Sequence, residues 1–227
     1  MNILVACEES QAVTIELRKL GHRAFSCDIQ DCSGGHPEWH IKGDVLPLLD
    51  GRCKFKTVDG AMHGVVGKWD MIIAFPPCTY LTIAGAANIP RDPTRIEKGF
   101  QAKEFLEKIL SADCPRIAVE NPIPMKRFEL PRYTQILRLY HFGIPLTKSI
   151  CLWLKGLPLL KETNIVIPQR AEHVWEWNGK RKSCSKWYNT NTSNHSLHRS
   201  KTFPEVARAM AEQWAGQADE NRRVAEL

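Results

Sequence analysis

The chain has 227 residues, 43% of them hydrophobic, and a net charge of +6, which is enough apolar material for one well-cored domain with at most a small appendage. No apolar run approaches the roughly 18 residues of a bilayer-crossing helix, and Glu8 and Glu9 interrupt the first hydrophobic run, so neither a membrane span nor a secretory leader is expected and the expected location is cytoplasmic. The eight cysteines are scattered, several in apolar runs (Cys7, Cys27, Cys151), which favours reduced thiols over a disulfide framework.

Strand and helix signals alternate along the chain. Asn2 to Ala6 (NILVA) predicts a strand, and Gln11 to Leu20 carries Val13, Ile15, Leu17 and Leu20 before Gly21, a natural helix stop. Arg23 to Cys27 predicts a second strand ending at Asp28, and a shorter segment closes at Gly43 and Asp44. The stretch from Gly51 to Lys68, rich in Gly and Lys, reads as a loop. Met71 to Phe75 is an apolar run that stops at Pro76 and Pro77, and Ile117 to Val119 is another that stops short of Asn121 and Pro122. Such runs are strands buried on both faces of a parallel sheet. Between them, Ile96, Phe100, Phe105, Leu106, Ile109 and Leu110 mark a helical face over Arg95 to Leu110.

Beyond Pro122 the expectation is a short helix over Tyr133 to Tyr140, a strand over Ser149 to Leu154, and an irregular polar and aromatic stretch over Glu162 to Leu197. A last helix over Pro204 to Trp214 has Val206, Met210 and Trp214 in register and Pro in the first turn. The alternation predicts βαβ units and an α/β, doubly wound, mostly parallel, Rossmann-like sheet. The expected division is a core over 1–160, a basic and aromatic segment over 161–201, a helix over 202–217 packed back on the core, and a tail over 218–227.

Ligands of such sheets bind beyond the carboxyl ends of the strands. The Cys78 thiol and the Glu120 carboxylate stand at two such ends and can converge on one substrate. Pro76 and Pro77 remove backbone donors and fix the loop that aims Cys78. A thiolate can add to one carbon of an electron-poor heterocycle while a neighbouring acid protonates or hydrogen-bonds a ring nitrogen.

FPPC followed by ENP resembles the cytosine-5 DNA methyltransferases, over about residues 2 to 154 and in that family's motif order. The resemblance implies a Rossmann-like methyltransferase fold, S-adenosylmethionine as cofactor, and DNA as partner, with a methyl group passing to carbon 5 of cytosine. It implies Cys78 as nucleophile in the loop set by Pro77, Glu120 as the acid on the base, and Asn121 positioning the loop. Cofactor contacts would come from Ala6, Cys7, Glu8 and Ser10 after the first strand, from Asp28 with Ile29, from Asp44, and from Pro76. Substrate contacts would come from Thr79, Gln135, Lys148, Lys182 and Lys186.

Three departures qualify what the resemblance implies. The turn VACEESQAV has Cys7, Glu8 and Glu9 where the family has glycines, leaving the helix N-terminus near Ser10 as the approach for the methionine part. HFGIPLTKSICLWL offers Lys148 where the family has an Arg-x-Arg, so polarising the base would fall to Lys148 or Gln135. The short span between Leu154 and the last helix holds no large target-recognition domain, which makes the chain similar to short cytosine-methylase-like proteins of phages and prophages. A free cytidine nucleotide (dCMP) as substrate, or a degenerate fold that binds without transferring, are the alternatives.

Other signals stay open on the residues alone. From Arg170 to Lys201, seven Lys and Arg interleave with Trp175, Trp177, Trp187 and Tyr188, as on a nucleic-acid surface or a solvated basic loop. Asp28 and Asp44 are cofactor ligands or turn caps. Trp39 stacks on adenine or caps the core. The loop from Thr79 to Pro93 is a lid over a flipped base or an exposed connection. Cys27, Cys32, His36 and His40 fit no standard structural zinc spacing.

Overall fold

The run NILVA forms β1 (Asn2–Ala6) and MIIA forms β6 (Met71–Ala74), and apart from Asn2 every residue of both is buried. An apolar strand of that kind needs cover on both faces, and the fold supplies it. The computed structural model describes residues 1–169, 173–177, 179–184 and 201–218. After β1 come α1 (Ala12–Lys19), β2 (Arg23–Asp28), β3 (His40–Lys42), β4 (Cys53–Lys56) and β5 (Met62–Val65). After β6 come α2 (Thr94–Leu110), β7 (Ile117–Pro122), β8 (Gln135–Arg138), β9 (Ser149–Lys155), β10 (His173–Trp177), β11 (Lys180–Cys184) and α3 (Pro204–Trp214).

Seven strands make one sheet in the order β3-β2-β1-β6-β7-β9-β8. The five from β3 to β7 are parallel, and β9 runs antiparallel to both β7 and β8. Strand order reverses between β1 and β6, so the crevice at their carboxyl ends is the switch point where such sheets receive ligands. One face carries Leu4, Ala6, Ile72, Ala74 and Val119 under Leu106 and Ile109 of α2. The other carries Ile3, Val5, Met71, Ile73 and Ala118 under Val13 and Leu17 of α1 and Met210 and Trp214 of α3. This is the doubly wound, mostly parallel, Rossmann-like α/β architecture expected from the alternation of strands and helices. Among the described residues no helix is long and apolar enough to cross a membrane.

α3 packs on the sheet. Its Trp214 indole N–H donates to the Pro158 carbonyl at 3.0 Å, and Gln213 exchanges two hydrogen bonds with the Lys161 backbone. Three expectations are corrected. The predicted helix over 133–140 is β8 followed by a short 3-10 turn, because Gln135 to Arg138 pairs with β9 and buries Leu137. The predicted loop over 51–68 contains the β4–β5 hairpin, which presents Phe55 and Val65 to Phe25 and Trp69 of the core. Part of the irregular stretch is a second hairpin, β10–β11.

Candidate active site

The turn after β1 takes the shape that glycines usually take, without glycines. Cys7 has φ 57° and Gln11 has φ 58°, both in the left-handed region that costs side chains energy. Neighbouring contacts hold it there. The Glu8 N–H donates to the Cys27 carbonyl at 3.2 Å, tying the turn to the end of β2. The buried Gln11 amide grips His36 at both ends, accepting from its N–H at 3.1 Å and donating to its carbonyl at 2.8 Å. Gly34 lies so close that an added Cβ would stand 2.6 Å from Ser10 O and from Gln11 Cβ.

Glu8 closes the start of α1. Its carboxylate accepts from the Val13 N–H at 2.6 Å, the Thr14 N–H at 3.3 Å and the Thr14 hydroxyl at 2.7 Å. Burial pushes its carboxyl up to about 7 against these three bonds. Glu8 thus occupies the Val13 and Thr14 donors of that helix N-terminus, near the Ser10 position expected to receive the methionine part. Burial, with Asp28 close by, pushes the Cys7 thiol far up, so Cys7 is a neutral thiol at physiological pH. Ala6 is fully buried and its carbonyl accepts from the Phe75 N–H at 2.9 Å, which makes it part of the sheet and not of a contact surface.

The chain leaving β6 is built differently. Pro76 is buried and its carbonyl accepts from Asn121 Nδ2 at 2.9 Å. Asn121, only 1% exposed, thus staples the end of β7 to the Pro-Pro loop. Pro77 is exposed and Cys78 half-buried, and the Cys78 carbonyl accepts from Leu81 and Thr82, closing a turn beneath the thiol. Pro77, Cys78 and Thr79 line a cleft of about 310 Å³ together with Cys7, Glu8, Glu9, Ser10 and Asp28.

Glu120 lies in register with Leu152 of β9, on the sheet face that carries α3. It opens on a small pocket with Leu139, Lys148, Ile150 and Phe203. Burial pushes its carboxyl up to about 7 while the Lys148 ammonium pulls it down, so at neutral pH a large share of Glu120 carries a proton. Lys201 and Thr202, which lead into α3, line both the Glu120 pocket and the Cys78 cleft. The acid and the thiol open on neighbouring spaces with one common wall.

The remaining expected site residues divide. Asp28 faces the cleft, with one carboxylate oxygen accepting from the Gln30 N–H at 2.9 Å. Ile29 beside it is 75% exposed. Asp44 is exposed and caps its own turn through the Leu46 N–H at 3.0 Å, outside the lining of the cleft. Gln135 lies outside both cavities: its amide is committed to the Leu160 backbone by bonds of 2.8 and 2.9 Å. Lys182 sits in β11 opposite Trp175, and Lys186 lies outside the described residues, with much of the basic and aromatic segment.

Trp39 stacks on His36, centroids 3.8 Å apart, and borders a groove on the α1 side instead of the Asp28 cleft. His40 is buried with its ring nitrogens on Ser26 Oγ and the Gln30 carbonyl, both at 2.9 Å. The loop from Thr79 to Pro93 is pinned by Met125 N–H to Leu81 O at 2.7 Å, and by Arg95, which donates to Thr79 O and covers the Tyr80 ring.

Glu9, Lys201 and Thr202 were not named by the sequence as residues of this cleft. Glu9 is 8% exposed and lines the cleft, and its Oε1 accepts no hydrogen bond from the described residues. An acid in a sheltered turn at a strand end was the only signal for it. Lys201 was marked only as the last cation of the basic and aromatic segment and Thr202 not at all, because their place in the cleft depends on where α3 docks.

A scan against protein-family models finds no matching family, and a search of curated proteins finds no matching relative. Among solved structures the chain is similar to an rRNA methylase from Escherichia coli, 18% identical, over 68% of this chain and 56% of that one, with a TM-score of 0.31. The chain thus spans little more than half the length of that neighbour, and a likeness of this degree carries no argument about activity.

Proposed function

We propose that the protein is an S-adenosylmethionine-dependent methyltransferase that adds a methyl group to carbon 5 of cytosine in DNA through a covalent bond to Cys78. The observation that carries this reading is the wall of Lys201 and Thr202 common to the Cys78 cleft and the Glu120 pocket. One pyrimidine held against that wall meets a thiol on one side and an acid on the other. The staple from Asn121 to the Pro76 carbonyl supports it by holding the two strand ends in fixed relation.

S-adenosylmethionine, when bound, supplies an electrophilic methyl group. The cleft fits it through two carboxylates of this chain: Asp28 at the end of β2, suited to ribose hydroxyls, and Glu9, whose buried Oε1 is an acceptor without a donor. The chain's own residues do the rest. The Cys78 sulfur bonds to carbon 6 as Glu120, protonated in part at neutrality, delivers its proton to ring nitrogen 3. The electron pair made available at carbon 5 would take the methyl group as the methyl–sulfonium bond breaks and leaves a neutral thioether. Solvent water would take the carbon 5 proton, Glu120 would recover its proton from nitrogen 3, and cleavage of the bond from Cys78 sulfur to carbon 6 would return the thiolate. Lys148, beside Glu120, offers positive charge to the base carbonyl in place of an arginine.

The test is transfer of label from tritiated S-adenosylmethionine to DNA or to dCMP, with Cys78→Ser as control. Label in DNA, lost in the variant, is the expected result. Label in dCMP alone moves the substrate to the free nucleotide, and label in neither leaves a binding-only fold. DNA containing 5-fluorocytosine should give a covalent adduct visible in the intact mass, since fluorine blocks the final elimination.

A further inference from the structure

The cleft holds one feature that the transfer chemistry does not use. Glu9 is buried, its Oε2 is bonded by the Ser33 hydroxyl, and among the described residues its Oε1 has no hydrogen-bond donor. The ammonium of Lys201 stands 3.9 Å from that oxygen and donates instead to Ser33 Oγ at 2.8 Å. Among the described residues lining the cleft, Lys201 is the cation. A buried carboxylate oxygen left without a donor costs on the order of 1–3 kcal/mol, and such a group calls for an explanation in function. Glu8 already takes the Val13 and Thr14 N–H groups of the helix N-terminus beside it.

We propose that Glu9 and Lys201 form a clamp for a zwitterionic amino-acid head, Glu9 Oε1 accepting from its α-ammonium and Lys201 meeting its α-carboxylate. Opposite charges 3.9 Å apart at the cleft wall complement a head that carries both charges on one carbon. Ser33, bonded to both residues, fixes their spacing. The inference rests on the reading of the cleft as the S-adenosylmethionine site, and assigns its methionine end to two residues that replace both the glycine-rich turn and the helix N-terminus.

Calorimetry with two ligands tests it: S-adenosylhomocysteine, which carries the amino-acid head, and 5′-methylthioadenosine, which lacks it. The wild type is expected to bind both, the first more tightly. Glu9→Gln, which keeps size and the Ser33 bond, and Lys201→Met, which keeps the aliphatic stem, should each weaken S-adenosylhomocysteine by about tenfold to a hundredfold, the range for a charged hydrogen bond. Neither should change binding of 5′-methylthioadenosine, which also certifies that the variants are folded. Equal binding of S-adenosylhomocysteine by wild type and both variants overturns the clamp and leaves the cofactor reading standing. Failure of the wild type to bind either ligand overturns both.

Discussion

The turns leaving β1 and β6 lie side by side at the switch point and are built on opposite principles. After β1 the backbone is bent through Cys7 and Gln11 in a left-handed shape, and polar side chains of the same neighbourhood absorb its donors and acceptors. After β6 two prolines stiffen the chain, one tertiary hydrogen bond from Asn121 holds it, and the Cys78 side chain is left at the cleft wall. In the first turn Glu8 is committed to the start of α1 while Glu9 lines the cleft, and in the second Cys78 lines the same cleft from a loop stiffened by proline. Two neighbouring turns at strand ends thus reach one cleft by different means, one through polar side-chain contacts and one through proline geometry.

The sharpest way to break this contrast is Cys78→Ser. Label transfer should fall by roughly 10⁴-fold or more, as for other covalent nucleophiles, with the melting temperature unchanged. Retained transfer would remove the chemical half of the comparison. Next is Glu120→Gln, expected to cost about 10²- to 10⁴-fold as a general acid. Wild-type activity should decline as pH rises through about 7, where Glu120 gives up its proton, and the variant should lack that limb. The same shift has a stability sign. A carboxyl raised from 4.5 to about 7 by folding weakens the folded state as pH rises between those values. Glu120→Gln should therefore gain on the wild type between pH 5 and pH 8 in thermal melts, and a variant that loses ground would show Glu120 to be ion-paired instead.

Glu8→Ala tests the other turn. Removing it strands the Val13 and Thr14 amides, at a cost of about 2 kcal/mol in urea denaturation. A stable Glu8→Ala protein with impaired cofactor binding would reverse the assignment of Glu8 to structure. Asn121→Ala should cost roughly 1–2 kcal/mol by freeing the Pro76 carbonyl, and should reduce kcat more than it raises KM, since it loosens the aim of Cys78. The smallest effect is expected from Gln135→Ala: at most about 1 kcal/mol of stability, from the lost Leu160 bonds, and unchanged kcat/KM.

Much of the fold was legible because apolar runs bounded by turn formers have one stable use. β1, β2, β6, β7, β9 and the three helices follow from periodicity and stop signals. The hairpin of β4 and β5 escaped because its strands are four residues each, with Phe55 and Val65 as their buried side chains. β8 escaped because Tyr133 to Tyr140 has apolar spacing compatible with a helix, and only β9 beside it decides for a strand. In the candidate site, the positions of Cys78 and Glu120 at strand ends could be read from the apolar runs that stop at PPC and EN. Gln135 and Asp44 could not be judged, since whether a polar side chain faces a ligand or a neighbouring backbone depends on contacts from distant parts of the chain.

By itself, the order of residues determined which strands are buried on both faces and which reactive groups stand at their carboxyl ends. Hydrophobic burial and local backbone preference act over a few residues, and a sequence displays them directly. Only the tertiary structure decided that Glu8 fills a helix terminus while Glu9 faces the cleft, and that Lys201 joins the cleft to the Glu120 pocket. Those assignments follow from the docking of α3 and of the Ser33 loop against the turn after β1, and the partners that settle them are remote in the chain.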